Sequence, residues 1–169
     1  LMLQHLPEAA MEFLLRLYNR IWEEHTIPTM WREAIIVPVP KVGKDRSLPS
    51  SYRPISLTSC VSKVLERMVN QRLAWTLEHK NLLTPIQSGF RRNRSTLDHL
   101  VSLATAISTS FVLKQRLVAI LFDIEKAYDT TWRYGILQTL HSWGFRGKLP
   151  LFLQNFLLNR SFRVRVGDR

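Results

Sequence analysis

Residues 117–122, Leu-Val-Ala-Ile-Leu-Phe, are apolar without interruption and lead directly into Asp123. A strand covered on one face alternates apolar and polar side chains, whereas one with no polar position must be covered on both, so this run predicts a buried central strand. The chain can provide such cover, because 169 residues with 46% apolar side chains suffice for one sizeable core. After the run comes a polar turn that opens with the Asp123 carboxylate and holds Tyr128 five residues later. A carboxylate held at a strand end suits a hard divalent cation, and a flat ring beside it can pack under a sugar. On spacing alone, an ordinary acidic turn accounts for Asp123 at least as well.

The remaining pattern predicts an α+β (α/β) chain with helices packed on a small, largely antiparallel sheet. Residues 7–24 form a first helix, with Pro7 and Glu8 in its first turn and Ala10, Phe13, Leu14, Leu17 and Ile21 on one face. Residues 34–39 and 53–57 read as two strands of a hairpin around a loop containing Gly43 and Pro49, with basic residues at its tip. A helix over residues 59–79 keeps Val61, Leu65, Met68, Val69, Leu73 and Leu77 at helical spacing. Ser95 and Asp98 make a capping box for a third helix, whose stripe of Leu97, Leu100, Val101, Ala104 and Ile107 is expected to be buried. Two short helices over 134–143 and 148–158 precede a strand over 162–166. Cys60, the single cysteine, is expected in the core; it excludes an internal disulfide and a Cys-rich zinc site, and makes a reducing intracellular setting the default.

Charge points to a polyanionic partner. The chain carries 24 Lys and Arg against 13 Asp and Glu, a formal net charge of +11, and the basic residues cluster. Lys41, Lys44, Arg46 and Arg53 surround the hairpin loop, and Arg91, Arg92 and Arg94 crowd another. Backbone phosphates bind such clusters with strong salt dependence. A membrane is the weaker reading, since no apolar run approaches roughly 20 residues and no helix pairs a basic face with a broad apolar one. The first ten residues lack a signal-peptide pattern, and a start at Leu1 suggests a segment of a longer reading frame.

Four segments share one order with a known family. Residues 38–45 contain V-P-K-V-G-K-D, residues 51–57 are S-Y-R-P-I-S-L, residues 87–96 are Q-S-G-F-R-R-N-R-S-T, and residues 121–132 are L-F-D-I-E-K-A-Y-D-T-T-W. Together they resemble the reverse transcriptases of non-LTR retrotransposons of the LINE and jockey-like type. The resemblance implies the fingers and partial palm of a right-hand polymerase, about 1–116 for the fingers with adjoining helices and about 117–169 for the start of the palm.

It also implies roles. Lys41 and Arg53 would hold the triphosphate of an incoming deoxynucleotide, a task suited to two cations on flexible stems. Asp123, with the Ile124 carbonyl, would ligate catalytic magnesium, two ions in the complete enzyme, with manganese as a substitute. Tyr128 would be the sugar gate, and the amides around Lys126 and Ala127 would face the nucleotide. Lys44 and Arg46 would meet phosphates generally. Gly89, Phe90, Arg91, Arg92 and Arg94 would contact template, with Phe90 either stacking on a base or, as preferred here, filling core; Glu125 and Asp129 are read as turn residues. Val42 stands where many relatives have proline, and Tyr128 where phenylalanine is common.

Partners implied are template RNA, a DNA primer, deoxynucleoside triphosphates, and the remaining palm, thumb and an endonuclease domain. The family acts in nucleus and cytoplasm. The family's later segments, a Pro-Gln-Gly stretch and a hairpin with paired aspartates, do not occur in this sequence, so the 169-residue chain alone is expected not to polymerise. An RNA-binding module or a silent structural domain are the alternatives.

Overall fold

Prolines decide how the sheet can pair. In the computed structural model, which describes residues 5–167, strand β1 (Glu33–Pro40) contains Pro38 and Pro40 yet lies in the middle of a three-stranded sheet ordered β2-β1-β3. The reading of the first ten residues as lacking a signal-peptide pattern falls partly outside that range. β2 (Tyr52–Leu57) runs antiparallel to β1, with Val39 opposite Arg53, Val37 opposite Ile55 and Ile35 opposite Leu57. The Lys41 amide donates to the Ser51 carbonyl at 2.8 Å. Odd-numbered residues therefore bond to β2, and Pro38 meets Pro54 in a pair that requires no N–H. β3 (Ser161–Val164) pairs in parallel with β1 only from Glu33 to Ile36, short of both prolines.

Helix α1 (Glu8–Glu24) and the one-turn helix α2 (Thr29–Arg32) precede the sheet. Between β2 and β3 come α3 (Cys60–His79), α4 (Thr96–Val112), α5 (Arg133–Ser142) and α6 (Lys148–Leu157). A parallel neighbour needs a long connection, and these four helices form it. The chain divides into two compact units, Leu1–Val69 with Trp132–Arg169, and Asn70–Thr131.

The core lies in the first unit. Tyr18 and Ile21 of α1, Ile27, Trp31 of α2, Leu65 and Val69 of α3, and Phe152 of α6 are buried together. Trp22 and Phe156 flank Phe152, with ring centroids 5.3 and 5.9 Å from it. The Tyr18 hydroxyl donates to the Val61 carbonyl at 2.8 Å, so its burial leaves no unpaired hydroxyl. Leu14, Leu17, Tyr18 and Ile21 complete the inner face of α1. Phe13, one position off that stripe, is exposed, contrary to expectation.

Three further expectations fail. Cys60 begins α3 and is exposed, because the buried side of that helix is set by Ser62, Leu65 and Val69. The capping box of α4 forms as expected: the Ser95 amide donates to the Asp98 carboxylate at 2.6 Å and the Ser95 hydroxyl accepts from the Leu97 amide. The stripe behind it is bare, with Leu97, Leu100, Val101 and Ile107 exposed, because no described residue covers it. Residues 117–122 are not a strand and their side chains are exposed. A strand needs a ladder partner for its N–H and C=O groups, and this run has none among the described residues.

Phe152→Ala should destabilise the folded chain by about 3–5 kcal/mol through the cavity it leaves, whereas Leu100→Ser on α4 should shift stability by no more than about 0.5 kcal/mol. Urea unfolding of both variants checks the contrast.

Candidate functional site

The hairpin brings two of the expected cations onto one side. Residues directly opposite in an antiparallel ladder share a face, so Arg53 lies on the face of Val39. Lys41, two residues beyond Val39 and still bonded to Ser51, continues that face. The two are diagonal neighbours, a relation that sets residues roughly 7–8 Å apart, within reach of long side chains. Arg53 is exposed; Lys41 is half-buried, and its ammonium donates to the Ser50 carbonyl at 2.9 Å. One bond leaves two of its three donors for a ligand.

The loop between the strands is ordered by its own side chains. The Asp45 carboxylate accepts from the Ser47 amide at 2.9 Å and the Ser47 hydroxyl at 2.8 Å. These bonds, the amide foremost, hold the Asp45 carboxyl below its ordinary value. The Tyr52 hydroxyl donates to the Arg46 carbonyl at 2.9 Å, and Gly43 takes a left-handed φ of 71°. Lys44 and Arg46 project from this loop, exposed.

In the second unit, α3 ends in a left-handed Asn81, with the Asn81 amide on the Glu78 carbonyl and the Leu82 amide on the Leu77 carbonyl. The loop that follows folds around Arg91. Its Nε and Nη2 donate to the two Glu78 carboxylate oxygens at 2.8 and 2.6 Å, and its Nη1 donates to the carbonyls of Thr84 at 2.8 Å and Gln87 at 3.2 Å. Such a fork is the strong geometry for an arginine–carboxylate pair. The hydrogen bond from Arg91 holds the Glu78 carboxyl below its ordinary value and raises Arg91 in turn. Arg91 thus braces the loop from within.

Around that brace the loop points outward. Phe90 is 100% exposed at a φ of 59°, and Asn93 has a φ of 60°. A left-handed phenylalanine is an outlier that the braced loop imposes. The preference for Phe90 in the core is therefore corrected. Gly89, Arg92 and Arg94 are exposed beside it. Glu78 was missed in the sequence, where it reads as one more polar residue on an amphipathic helix.

Asp123 and Ile124 lie on irregular, exposed backbone. Residues 125–129 then form a tight turn: Lys126 is left-handed at φ 53°, and its carbonyl accepts from the amides of Asp129 and Thr130 at 2.9 and 3.0 Å. Ala127 sits in this turn with its carbonyl accepting from the Thr131 hydroxyl at 2.7 Å, and Tyr128 is exposed. Among the described residues no three His, Cys, Asp or Glu side chains gather as a metal set. Asp123 and the Ile124 carbonyl are hard oxygen donors, but one carboxylate and one carbonyl do not by themselves make a two-ion site. No helix among the described residues is long and apolar enough to cross a membrane.

A hairpin with two cations on one face, an exposed aromatic on a basic loop, and an aspartate leading into an aromatic turn are parts suited to handling nucleotides and nucleic acid. Residues 39–168 match the family described as reverse transcriptase (RNA-dependent DNA polymerase), and the chain belongs to it. It is 34% identical over 97% of its length to the probable RNA-directed DNA polymerase from transposon BS of Drosophila melanogaster. It is 32% identical over 96% of its length to the corresponding protein from transposon X-element, and 30% over 95% to the RNA-directed DNA polymerase from mobile element jockey, both of the same fly. The chain spans 18% of the length of each of these relatives.

Replacing Glu78 by Gln should loosen the loop, raising the rate of tryptic cleavage at Arg91, Arg92 or Arg94 roughly two- to fivefold, the range of a partly exposed ion pair. Because the folded Glu78 carboxyl lies below its ordinary value of 4.5, the brace should hold at every pH above that value and fail only as pH falls through the lower, folded one. The Arg91 Nε–H resonance followed from neutral to acid pH checks this.

Proposed function

We propose that the chain forms the fingers and first palm segment of the RNA-directed DNA polymerase of a non-LTR mobile element. The observation that carries this reading is the hairpin register, which sets Lys41 and Arg53 on one face within a chain of the reverse transcriptase family. In this reading the fingers and adjoining helices occupy about residues 1–116 and the palm begins near 117. Lys41 and Arg53 neutralise the triphosphate of the incoming deoxynucleotide, and Arg53 can give two parallel N–H bonds to one phosphate. Lys44 and Arg46 meet phosphates without regard to sequence.

The Asp123 carboxylate and the Ile124 carbonyl form one side of a divalent-metal site, for magnesium or manganese, that further carboxylates of the full-length polymerase complete. The turn holding Lys126 and Ala127 faces the nucleotide, and the exposed Tyr128 ring occupies the space that a ribose 2′-hydroxyl would need. Template RNA runs over Gly89, Phe90, Arg92 and Arg94, the ring offering a stacking surface and the guanidinium groups meeting phosphates. Arg91 positions that loop through Glu78. The bare stripe of α4 and residues 117–122 are the faces on which the rest of the palm packs.

Primer extension by the full-length polymerase tests this. Asp123→Ala should lower it by at least about 100-fold while leaving RNA binding unchanged, and Tyr128→Val should raise ribonucleotide incorporation. Lys41→Ala and Arg53→Ala should raise the KM for deoxynucleotide more than they lower kcat. The 169-residue chain by itself should extend no primer. Full activity in Asp123→Ala would sink the reading.

A further inference from the structure

Three arginines from distant parts of the chain meet the last turn of α6. The Arg32 Nη1 donates to the Leu158 carbonyl at 3.2 Å, the Arg133 Nη1 to the Leu157 carbonyl at 3.3 Å, and the Arg160 Nε to the Phe156 carbonyl at 2.9 Å. Arg160 also lies over the Phe156 ring, 4.0 Å from its centroid. None of the four shared motifs contains these residues.

A helix end explains part of this arrangement. The last carbonyls of a helix lack intrahelical partners, and cations complement the partial negative charge there. That charge is only about half an elementary unit, and three guanidinium groups exceed it. The carboxylate that offsets them at Arg160 is Glu66, which also accepts from the Ser62 hydroxyl at 2.9 Å. Glu33, next to Arg32, is taken by Arg163 at 2.9 Å. Against three positive charges stand one carboxylate and the helix end, which leaves a surplus of about +1.5. Burial holds the Arg160 guanidinium below its ordinary value; the attraction of Glu66 opposes this, and the repulsion of Arg32 and Arg133 adds to it.

The cluster also has donors to spare. A guanidinium carries five N–H groups; the bonds above use one each from Arg133 and Arg160, and Arg32 uses a second on the Ile27 carbonyl at 3.3 Å. Arg133 is exposed, and Arg32 and Arg160 are half-buried. Capping fixes each group in place while leaving its outer N–H groups directed away from the carbonyl it caps, an arrangement that lowers the entropy lost on meeting an anion.

We propose that Arg32, Arg133 and Arg160 form a phosphate clamp for the backbone of single-stranded nucleic acid at the carboxyl end of α6. The proposal rests on the nucleic-acid reading of the chain given above and adds a contact outside its motifs. The clamp reads charge and spacing, not bases, so it binds without sequence preference.

Glutamine at these positions separates the two roles, since its amide can still donate to a helix carbonyl but carries no charge. The test measures binding of the chain to a short single-stranded RNA by fluorescence anisotropy over a range of salt, well below the melting transition. Arg32→Gln and Arg133→Gln should each reduce the slope of log affinity against log salt by about 0.7, and the double variant by about twice that. Wild-type binding with unchanged slopes in both variants would show that the arginines only cap the helix and would overturn the clamp alone. A wild-type chain that binds no RNA would overturn the clamp and the nucleic-acid reading together.

Discussion

Strand β1 must satisfy two neighbours with a backbone that lacks two of its amide donors, and much of the first unit follows from how it does so. Pro38 and Pro40 cannot bond toward a partner on the β3 side, and β3 stops at Ile36. The odd-numbered amides bond to β2, which fixes the phase of the hairpin and with it the shared face of Lys41 and Arg53. A slip of one residue would send Arg53 to the opposite face. At its other end β1 follows directly on α2, whose Trp31 is buried among Tyr18, Ile27, Leu65 and Phe152. The cationic face is thereby anchored to the aromatic core through eight residues of strand.

Elements whose signals are local were legible in the sequence. The α1 stripe, the hairpin, the capping box of α4 and both short helices near the C-terminus depend on neighbours within a few positions, and their bounds agree to within a residue or two. Burial was less legible, because it depends on what lies across from a face. Leu97, Leu100, Val101 and Ile107 have the spacing of a buried stripe and are exposed; residues 117–122 have the composition of a central strand and no ladder. Periodicity states which side chains belong together, not whether the partner lies in the same stretch of chain.

The site residues show the same division. Asp123, Lys126, Ala127 and Tyr128 lie within six residues, so a motif could group them, and the structure places them in one exposed segment. Arg91 was equally visible as a member of a basic run, but its role depends on Glu78, thirteen residues earlier and on a helix. A charge count assigns such an arginine to solvent or phosphate, whereas the fork to Glu78 and the bonds to Thr84 and Gln87 assign it to the loop itself. Likewise Arg32, Arg133 and Arg160 are unremarkable by spacing, and only the fold brings them to three successive carbonyls.

The surplus of positive charge is consequently uneven. Acidic side chains are drawn into pairs away from the hairpin tip: Glu24 with Arg20, Glu23 with Lys148, Glu33 with Arg163 and Glu78 with Arg91. At the tip, the Asp45 carboxylate bonds to Ser47, leaving four cations around one acid. The exposed pairs among these contribute little to stability, but each pair removes a positive charge from the field that a polyanion meets. Each such pair is nearly neutral in itself, and where carboxylates are absent a phosphate has most to gain. The local balance of acids, more than the total of +11, therefore determines where the surface attracts an anion most strongly.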